Sequence, residues 1–368
     1  MIQNERLLST FLEYIVIDSE SGDESRFAAR VHSDLEALGC HVSFDNSQAQ
    51  TGCGCGNLFA FLPGNAAGEP IILSAHMDTV TPGKGIVPVI ENGVIRSAGE
   101  TILGGDDKSG IAAIMEALRV IREKSLPHPD IQVVLTVGEE SGLLGSKYME
   151  FDRLRAKKAV VLDSSGNAGV IITAAPGQYK IDATVVGRRA HAGVAPEEGI
   201  SAIQVLAQGI AKMRLLRIDG ETTANIGSIH AEYATNIVPE RASICAEARS
   251  RDNGKLKAQV DHMVGCLEEA CEAAGASLEC TVSHAYSAYS YDESDPFVRQ
   301  VVDACGRAGL VHQLKASGGG SDANNFNANG IQALVLGTGM TKVHTTAEEL
   351  TVENLENTAK LVLELVQA

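Results

Sequence analysis

The sequence predicts an α/β protein: a mixed, mostly parallel sheet with helices on both faces, interrupted by an inserted α+β domain. Three observations point there. Short apolar runs, IILSA (71–75), IQVVLTV (131–137), AVVL (159–162) and ALVLG (333–337), are spaced among helical patterns, as buried strands of a parallel sheet are. Between 179 and 289 the strands become one-sided and follow the order strand, helix, strand, strand, helix, strand, which marks a separate small domain. With 368 residues the chain also exceeds one ordinary core. The expected division is a larger domain of residues 1–178 and 290–368 and an insert of residues 179–289.

The first 40 residues read as two helices, one with Leu7, Phe11 and Ile15 on its apolar face, the other with Phe27, Val31, Leu35 and Leu38. Ser21-Gly22-Asp23-Glu24-Ser25 separates them, with Asp23 or Ser25 available as a cap. After the strand at 71–75 comes a helix over roughly 108–123, with Ile111, Ile114, Leu118 and Ile121 on one face. In the insert, YKIDATVVG (179–187) and RASICAEARS (241–250) read as strands, 199–214 and 254–274 as helices, and SLECTVSHAYSAY (277–289) as a long closing strand. ALVLG and a helix from 352 belong to the larger domain again.

Composition narrows the function classes. Hydrophobic residues make up 44% and charged residues 21%, the balance of a soluble globular protein. No apolar run approaches the ~20 residues of a membrane span. The N-terminus carries acids within its apolar stretch and no small-residue cleavage site, so it reads as an amphipathic helix and the cytoplasm is the expected location. A net charge of −17 argues against a polyanion partner such as nucleic acid. Of the eight cysteines only Cys53 and Cys55 sit close together, and in a long chain without an export signal they read as reduced, non-catalytic thiols.

The chemistry collects at strand ends. IILSA runs into His76-Met77-Asp78, IQVVLTV into Gly138-Glu139-Glu140, and AVVL into Asp163; ALVLG is followed by His344. The loop Gly104-Gly105-Asp106-Asp107-Lys108 leads into the helix at 108. In open α/β sheets ligands bind at the carboxyl ends of the strands, so these residues would meet along one edge. Two His and several carboxylates without Cys suit zinc, with cobalt or manganese as substitutes. Taken singly, Asp106 or Asp107 could be a helix cap, Glu139-Glu140 a solvated turn, and Asp163 or His344 an ordinary loop residue. Their convergence favours a metal centre. Spacing alone separates neither Asp106 from Asp107 nor Glu139 from Glu140.

SAHMDTV, LGGDDKSG, VGEESGLLGS, VLDSSG and VHTTAEEL, in that order along essentially the whole chain, resemble the motif set of the peptidase T, aminoacylase and carboxypeptidase G group of two-zinc hydrolases. The nearest branch by this resemblance is the peptidase T-like tripeptidases. It implies two Zn²⁺, with Co²⁺ or Mn²⁺ as substitutes: His76 and Asp163 on one, Glu140 and His344 on the other, and Asp106 bridging. It also implies that Asp78 orients the His76 ring and that Glu139 is the general acid/base of peptide hydrolysis.

In the insert, GRRAHAGVAPEEG, ATNIVPERA and EARS carry the same resemblance. It implies that His191 and Asn236 are lid residues reaching over the metals and that Arg249 assists in substrate binding. Chemically, His191 could donate to a developing oxyanion, while Asn236 and Arg249 offer donors to carbonyl or carboxylate oxygens. Each also has a plain alternative: a loop His, a turn before Pro239, an outward strand residue. Ala231 and Glu232 depart from relatives, which often carry two glycines there. The glycine-rich Ser317–Asp322 loop lacks the Gly-Lys-Ser/Thr ending of a phosphate loop. The resemblance makes Gly319 and Gly320 places where substrate approaches the backbone, with simple turn geometry as the alternative.

The expected function is a zinc exopeptidase releasing the first residue of tripeptides. A second reading keeps the metals but makes the enzyme a carboxypeptidase or an N-acyl amino acid amidohydrolase. A third, a non-catalytic peptide- or metal-binding protein, is disfavoured because all five ligands and Glu139 are present. The expected partner is a short peptide, with no nucleic acid and no membrane; the resemblance also implies that a homodimer can form by pairing of lid edge strands.

Overall fold

A computed structural model describes residues 1–367. Within them the chain forms two compact units. The first comprises Met1–Thr173, Tyr291–Ala316 and the chain from Ser321 onward; the second comprises Ala174–Ser290 with Ser317–Gly320. The glycine-rich loop is therefore divided, with Gly319 and Gly320 in the second unit.

The first unit is built on a mixed sheet. Its strands lie in the order His41–Phe44, Leu58–Leu62, Ile131–Thr136, Ile71–His76, Lys158–Ser164, Gln332–Gly337 and Val170–Ala175, the last also pairing with Gln313–Ala316. The four central strands are parallel, and their neighbours on both sides run antiparallel. Both faces are covered, which is why the central strands read as unbroken apolar runs. On one face Leu73, Ala75, Val133 and Leu135 join a core shared with the helices Asn4–Ile15, Gly105–Lys124, Pro296–Arg307 and Val352–Val366. On the other face the short helix Asp322–Ala328 packs on Lys158–Ser164 and Gln332–Gly337.

The second unit is a five-stranded antiparallel sheet in the order Leu216–Arg217, Thr222–His230, Arg241–Ser250, Gly177–Val186, Ser277–Tyr286. The helices Ala202–Lys212 and Asn253–Ala274 cover one face, and Ile181, Ala183, Val185, Ala242, Ile244 and Ala246 form the core beneath them. One-sided burial produces the strict alternation that marks these strands in the sequence.

Several expectations need correction. The strand read as 277–289 shifts register between His284 and Tyr286 and ends there; Tyr289–Ser290 pairs separately with Ala174–Ala175. Neither Asp23 nor Ser25 caps the second helix. Glu24 occupies the N-cap without capping it, because its carboxylate accepts instead from the backbone N–H groups of Gly22, Gly54 and Gly138. The strands His41–Phe44, Leu58–Leu62 and Val170–Ala175 and the helices Pro296–Arg307 and Asp322–Ala328 were not anticipated. No described helix is long and apolar enough to cross a membrane.

Candidate metal centre

All the strand-end residues singled out in the larger domain lie in the first unit. His76 closes the strand Ile71–His76 and is buried. Its Nε2 is 3.1 Å from Asp106 Oδ1 and 3.9 Å from Asp163 Oδ1. His344, though far more exposed, directs its Nε2 to within 2.9 Å of Glu140 Oε1 and 3.4 Å of Asp106 Oδ2. The two oxygens of Asp106 thus face two different imidazoles.

Asp106 is not a helix cap. Its backbone is extended (φ −82°, ψ 104°), and regular helix begins only after Asp107. Asp107 is turned away to accept from the backbone N–H of His76. The local fold separates the two adjacent acids that spacing could not.

Backbone brackets hold these loops. Asp78 is fully buried, and its carboxylate accepts from the N–H groups of Glu139 (2.9 Å) and Glu140 (3.2 Å) and from Ser21 Oγ (2.6 Å). The His76 ring meets Asp78 chiefly through the backbone carbonyl, 2.9 Å from Nδ1, with the carboxylate at 3.5 Å. Glu348 does for the Asp106 loop what Asp78 does for the Glu139 loop. It accepts from the N–H groups of Leu103, Gly104 and Asp106 at 2.8–3.0 Å. It lies four residues after His344, so one short segment carries both an imidazole and the brace of the facing loop.

Electrostatically the site is short of positive charge. Burial, with the neighbouring Asp163, pushes the Glu139 carboxyl well above the usual carboxylate range. Burial and Asp106 do the same to Asp163. Burial also raises Asp107 and Asp322. Hydrogen bonds to the imidazoles overcome burial to hold Asp106 low. Asp106 and Glu140 raise His344 to about 10. The nearby ammonium of Lys108 does not help: it points away to the Ile17 carbonyl at 2.6 Å over the Phe27 ring, and burial lowers its pKa to about 7.

The donor set fits divalent metal. His76, Asp106 and Glu140 form one group whose ligand atoms all lie within 4.8 Å of one another, and His76, Glu139 and Asp163 form a second. Apart from its contact with His344, Glu140 Oε1 is buried without a hydrogen-bond partner, as are Asp107 Oδ1 and Asp322 Oδ1, and such atoms are costly unless a ligand satisfies them. Imidazole and carboxylate donors with no thiolate are those zinc and its first-row neighbours accept.

Three of these acids escaped sequence reasoning as contributors. Asp322 accepts from Thr136 Oγ1, on the strand leading to Glu139, and stands as a further acid beside it. Glu348 lay within the quoted motif VHTTAEEL without a role. Asp107 could be read only as an alternative to Asp106.

The remaining candidates lie in the second unit. His191 and Asn236 are exposed and brought together by a two-residue ladder, with Ala190 opposite Val238 and His191 opposite Ile237. Ala192 N–H donates to the Asn236 carbonyl, and Gly193 N–H donates to His191 Nδ1. Arg249 projects from the strand Arg241–Ser250, where Glu247 holds it. A side chain on Gly320 would collide with the Tyr286 ring, so that backbone position tolerates only glycine. The eight cysteines are all unbridged; burial raises Cys53 to about 11 and Cys55 to about 12, the posture of inert thiols.

Comparison with known proteins adds to this geometry. The model of Peptidase family M20/M25/M40 matches residues 72–368. The protein YqjE of Bacillus subtilis (strain 168) is 42% identical over 367 residues, covering 100% of this chain and 99% of its own. The crystal structure of aminopeptidase PepT from Bacillus cereus superposes with a TM-score of 0.94 at 44% identity, covering 100% of this chain and 98% of that one. A tripeptidase structure from Staphylococcus aureus gives a TM-score of 0.96 at 39% identity with the same coverage. The resemblance read from the five motifs, and the mixed α/β fold read from the apolar runs, are borne out.

Proposed function

From the premise that the chain belongs to peptidase family M20/M25/M40 and is a peptidase, we propose that it is a two-metal exopeptidase releasing the amino-terminal residue of tripeptides. One observation carries the two-metal reading: Asp106 presents Oδ1 to His76 and Oδ2 to His344. A carboxylate between two imidazoles, each with a further acid beside it, is what a bridging ligand requires. The ligand set is His76, Asp106 and Asp163 on one side and Asp106, Glu140 and His344 on the other. Zinc is the metal that suits these donors, with cobalt or manganese as substitutes. Two such ions, when bound, supply activated water at neutral pH and polarise the scissile carbonyl.

The chain's own groups do the rest. Asp78 fixes the backbone of Glu139, so the Glu139 carboxyl is presented by a braced loop. Glu139 takes the proton from the attacking water and returns it to the leaving amine. A buried carboxyl on a fixed loop is suited to that exchange. His191, Asn236 and Arg249 hold substrate oxygens, and the backbone at Gly319 and Gly320 lets the peptide lie close. The amino-terminal direction and the tripeptide length rest on likeness to the Bacillus cereus aminopeptidase and the Staphylococcus aureus tripeptidase.

The test is hydrolysis of Ala-Ala-Ala by protein stripped with a chelator and titrated with Zn²⁺. Release of Ala and Ala-Ala, saturating at about two metals per chain, is expected, and amino-blocked tripeptides should resist. Glu139→Gln should retain metal and lose turnover. No cleavage by metal-replete protein would move the substrate to acylated amino acids or another amide.

A further inference from the structure

The strand Arg241–Ser250 has two faces. Ala242, Ile244, Ala246 and Ala248 are buried on one, while Glu247 and Arg249 stand side by side on the other. There Arg249 Nε donates to Glu247 Oε1 at 2.8 Å and Nη2 donates to Oε2 at 3.0 Å. This is the two-pronged geometry by which a guanidinium recognises a carboxylate. Gln178, on the neighbouring strand opposite Arg249, donates to Glu247 Oε2 as well, so the acid is held from two sides.

What remains of the guanidinium is its Nη1 edge. It faces the Ser317–Gly320 loop: a Cβ placed on Gly319 would stand 3.9 Å from Nη1. The loop is kept close because Gly320 lies against the Tyr286 ring with no room for a side chain. An internal carboxylate therefore occupies the fork of Arg249, and a ligand meets one edge of an already neutralised pair.

We infer that Glu247 is a selectivity residue: by occupying and neutralising Arg249, it weakens that residue's preference for a substrate carboxylate over a neutral peptide carbonyl. The inference rests on the proposed role of Arg249 in substrate binding. A carboxylate arriving at Nη1 meets the like charge of Glu247 behind the guanidinium, whereas a carbonyl oxygen does not. Removing the internal acid while keeping its shape should convert a single-edge donor into a carboxylate clamp.

The experiment compares Ala-Ala-Ala with its carboxyl-terminal amide on the metal-loaded enzyme. The variants are wild type, Glu247→Gln, Arg249→Met and the double variant. Glu247→Gln should raise the acid-to-amide ratio of kcat/KM about tenfold, the scale on which a charge-assisted hydrogen bond exceeds a neutral one. The change should fall on KM for the free acid, and Arg249→Met should cancel it. An unchanged ratio, or a gain that survives Arg249→Met, overturns the inference. Phenylglyoxal modification of Arg249, mapped by mass spectrometry, reads the same lock without catalysis. It should be slow in wild type and faster in Glu247→Gln, where acetate protects; equal rates and equal protection in both proteins overturn the inference. If wild type cleaves neither peptide, the tripeptidase assignment fails and the modification experiment still decides the role of Glu247.

Discussion

The two units treat their polar residues in opposite ways. In the first, His76, Asp78, Asp106 and Glu139 are buried, and Asp78 and Glu348 tie their loops down through backbone N–H groups. In the second, His191 and Asn236 are exposed on a ladder only two pairs long. Chemistry that depends on fixed distances sits on braced, desolvated loops, where a misplacement of about 1 Å is expensive. The groups proposed to hold the substrate sit where little holds them. Under the proposed function, the difference would separate residues that make the reaction possible from residues that select and assist.

The sharpest test of that separation sets Asp106 against His191. Asp106→Ala should remove a shared ligand and the brace between two imidazoles at once. We expect turnover to fall by about 10³-fold or more, together with loss of zinc stoichiometry. His191→Ala should cost about 10²-fold, the scale of one oxyanion donor, with both metals retained. Zinc content by elemental analysis alongside kcat distinguishes the two. Metal loss in His191→Ala would erase the contrast.

Removing metal should expose the strain among the buried acids. Glu139, Asp163, Asp107 and Asp322 all have raised pKa values in the folded chain. A raised acid favours folding fully below its unfolded pKa, and that contribution is lost as pH climbs through the folded value. His344, raised to about 10, acts in the same direction above its unfolded value of about 6.5. Asp106 and Asp78, held low, contribute above their unfolded values and are lost only in acid. Stripped protein should therefore have a higher Tm near pH 5 than near pH 8, and Zn²⁺ should flatten the difference. A stripped protein whose Tm rises across that interval would contradict the assignment of a cation-demanding cluster.

Most of the first unit could be read from sequence because its physics is local. Strands covered on both faces must be continuous runs such as IILSA and AVVL, and His76, Glu139-Glu140 and Asp163 follow at or just past their ends. What could not be read depends on partners distant in the chain. Glu348 looks like any surface acid until the fold brings the loop 103–106 to it. Asp322 gains meaning only from Thr136. Edge strands such as His41–Phe44 lack an apolar run because neither face is buried, so no periodicity announces them. The closing strand of the insert read too long because the break between His284 and Tyr286 leaves no mark in composition. Arg249 was legible as a charged strand residue, but its occupation by Glu247 required the register of the sheet.

Glu348 also gives the smallest effect that still discriminates. Its two oxygens divide the work: Oε2 accepts from Leu103 and Gly104, and Oε1 from Asp106. Replacing it by Gln keeps the shape but turns one oxygen into an amide nitrogen. Whichever way that amide sits, a donor then faces a backbone donor, and part of the bracket opens. The loop that presents Asp106 should loosen without unfolding, because the strands and helix around it keep their packing. Supporting groups behind metal ligands commonly cost 10–100-fold when changed, and the lower end, about tenfold in zinc affinity, is expected because only one side of the bracket is lost. With saturating zinc, kcat should recover towards wild type and KM should stay constant, a pattern that loss of a direct ligand would not produce. Wild-type zinc affinity in Glu348→Gln would show that packing alone holds the Asp106 loop, and the contrast between braced and unbraced regions would then rest on burial rather than on backbone hydrogen bonds.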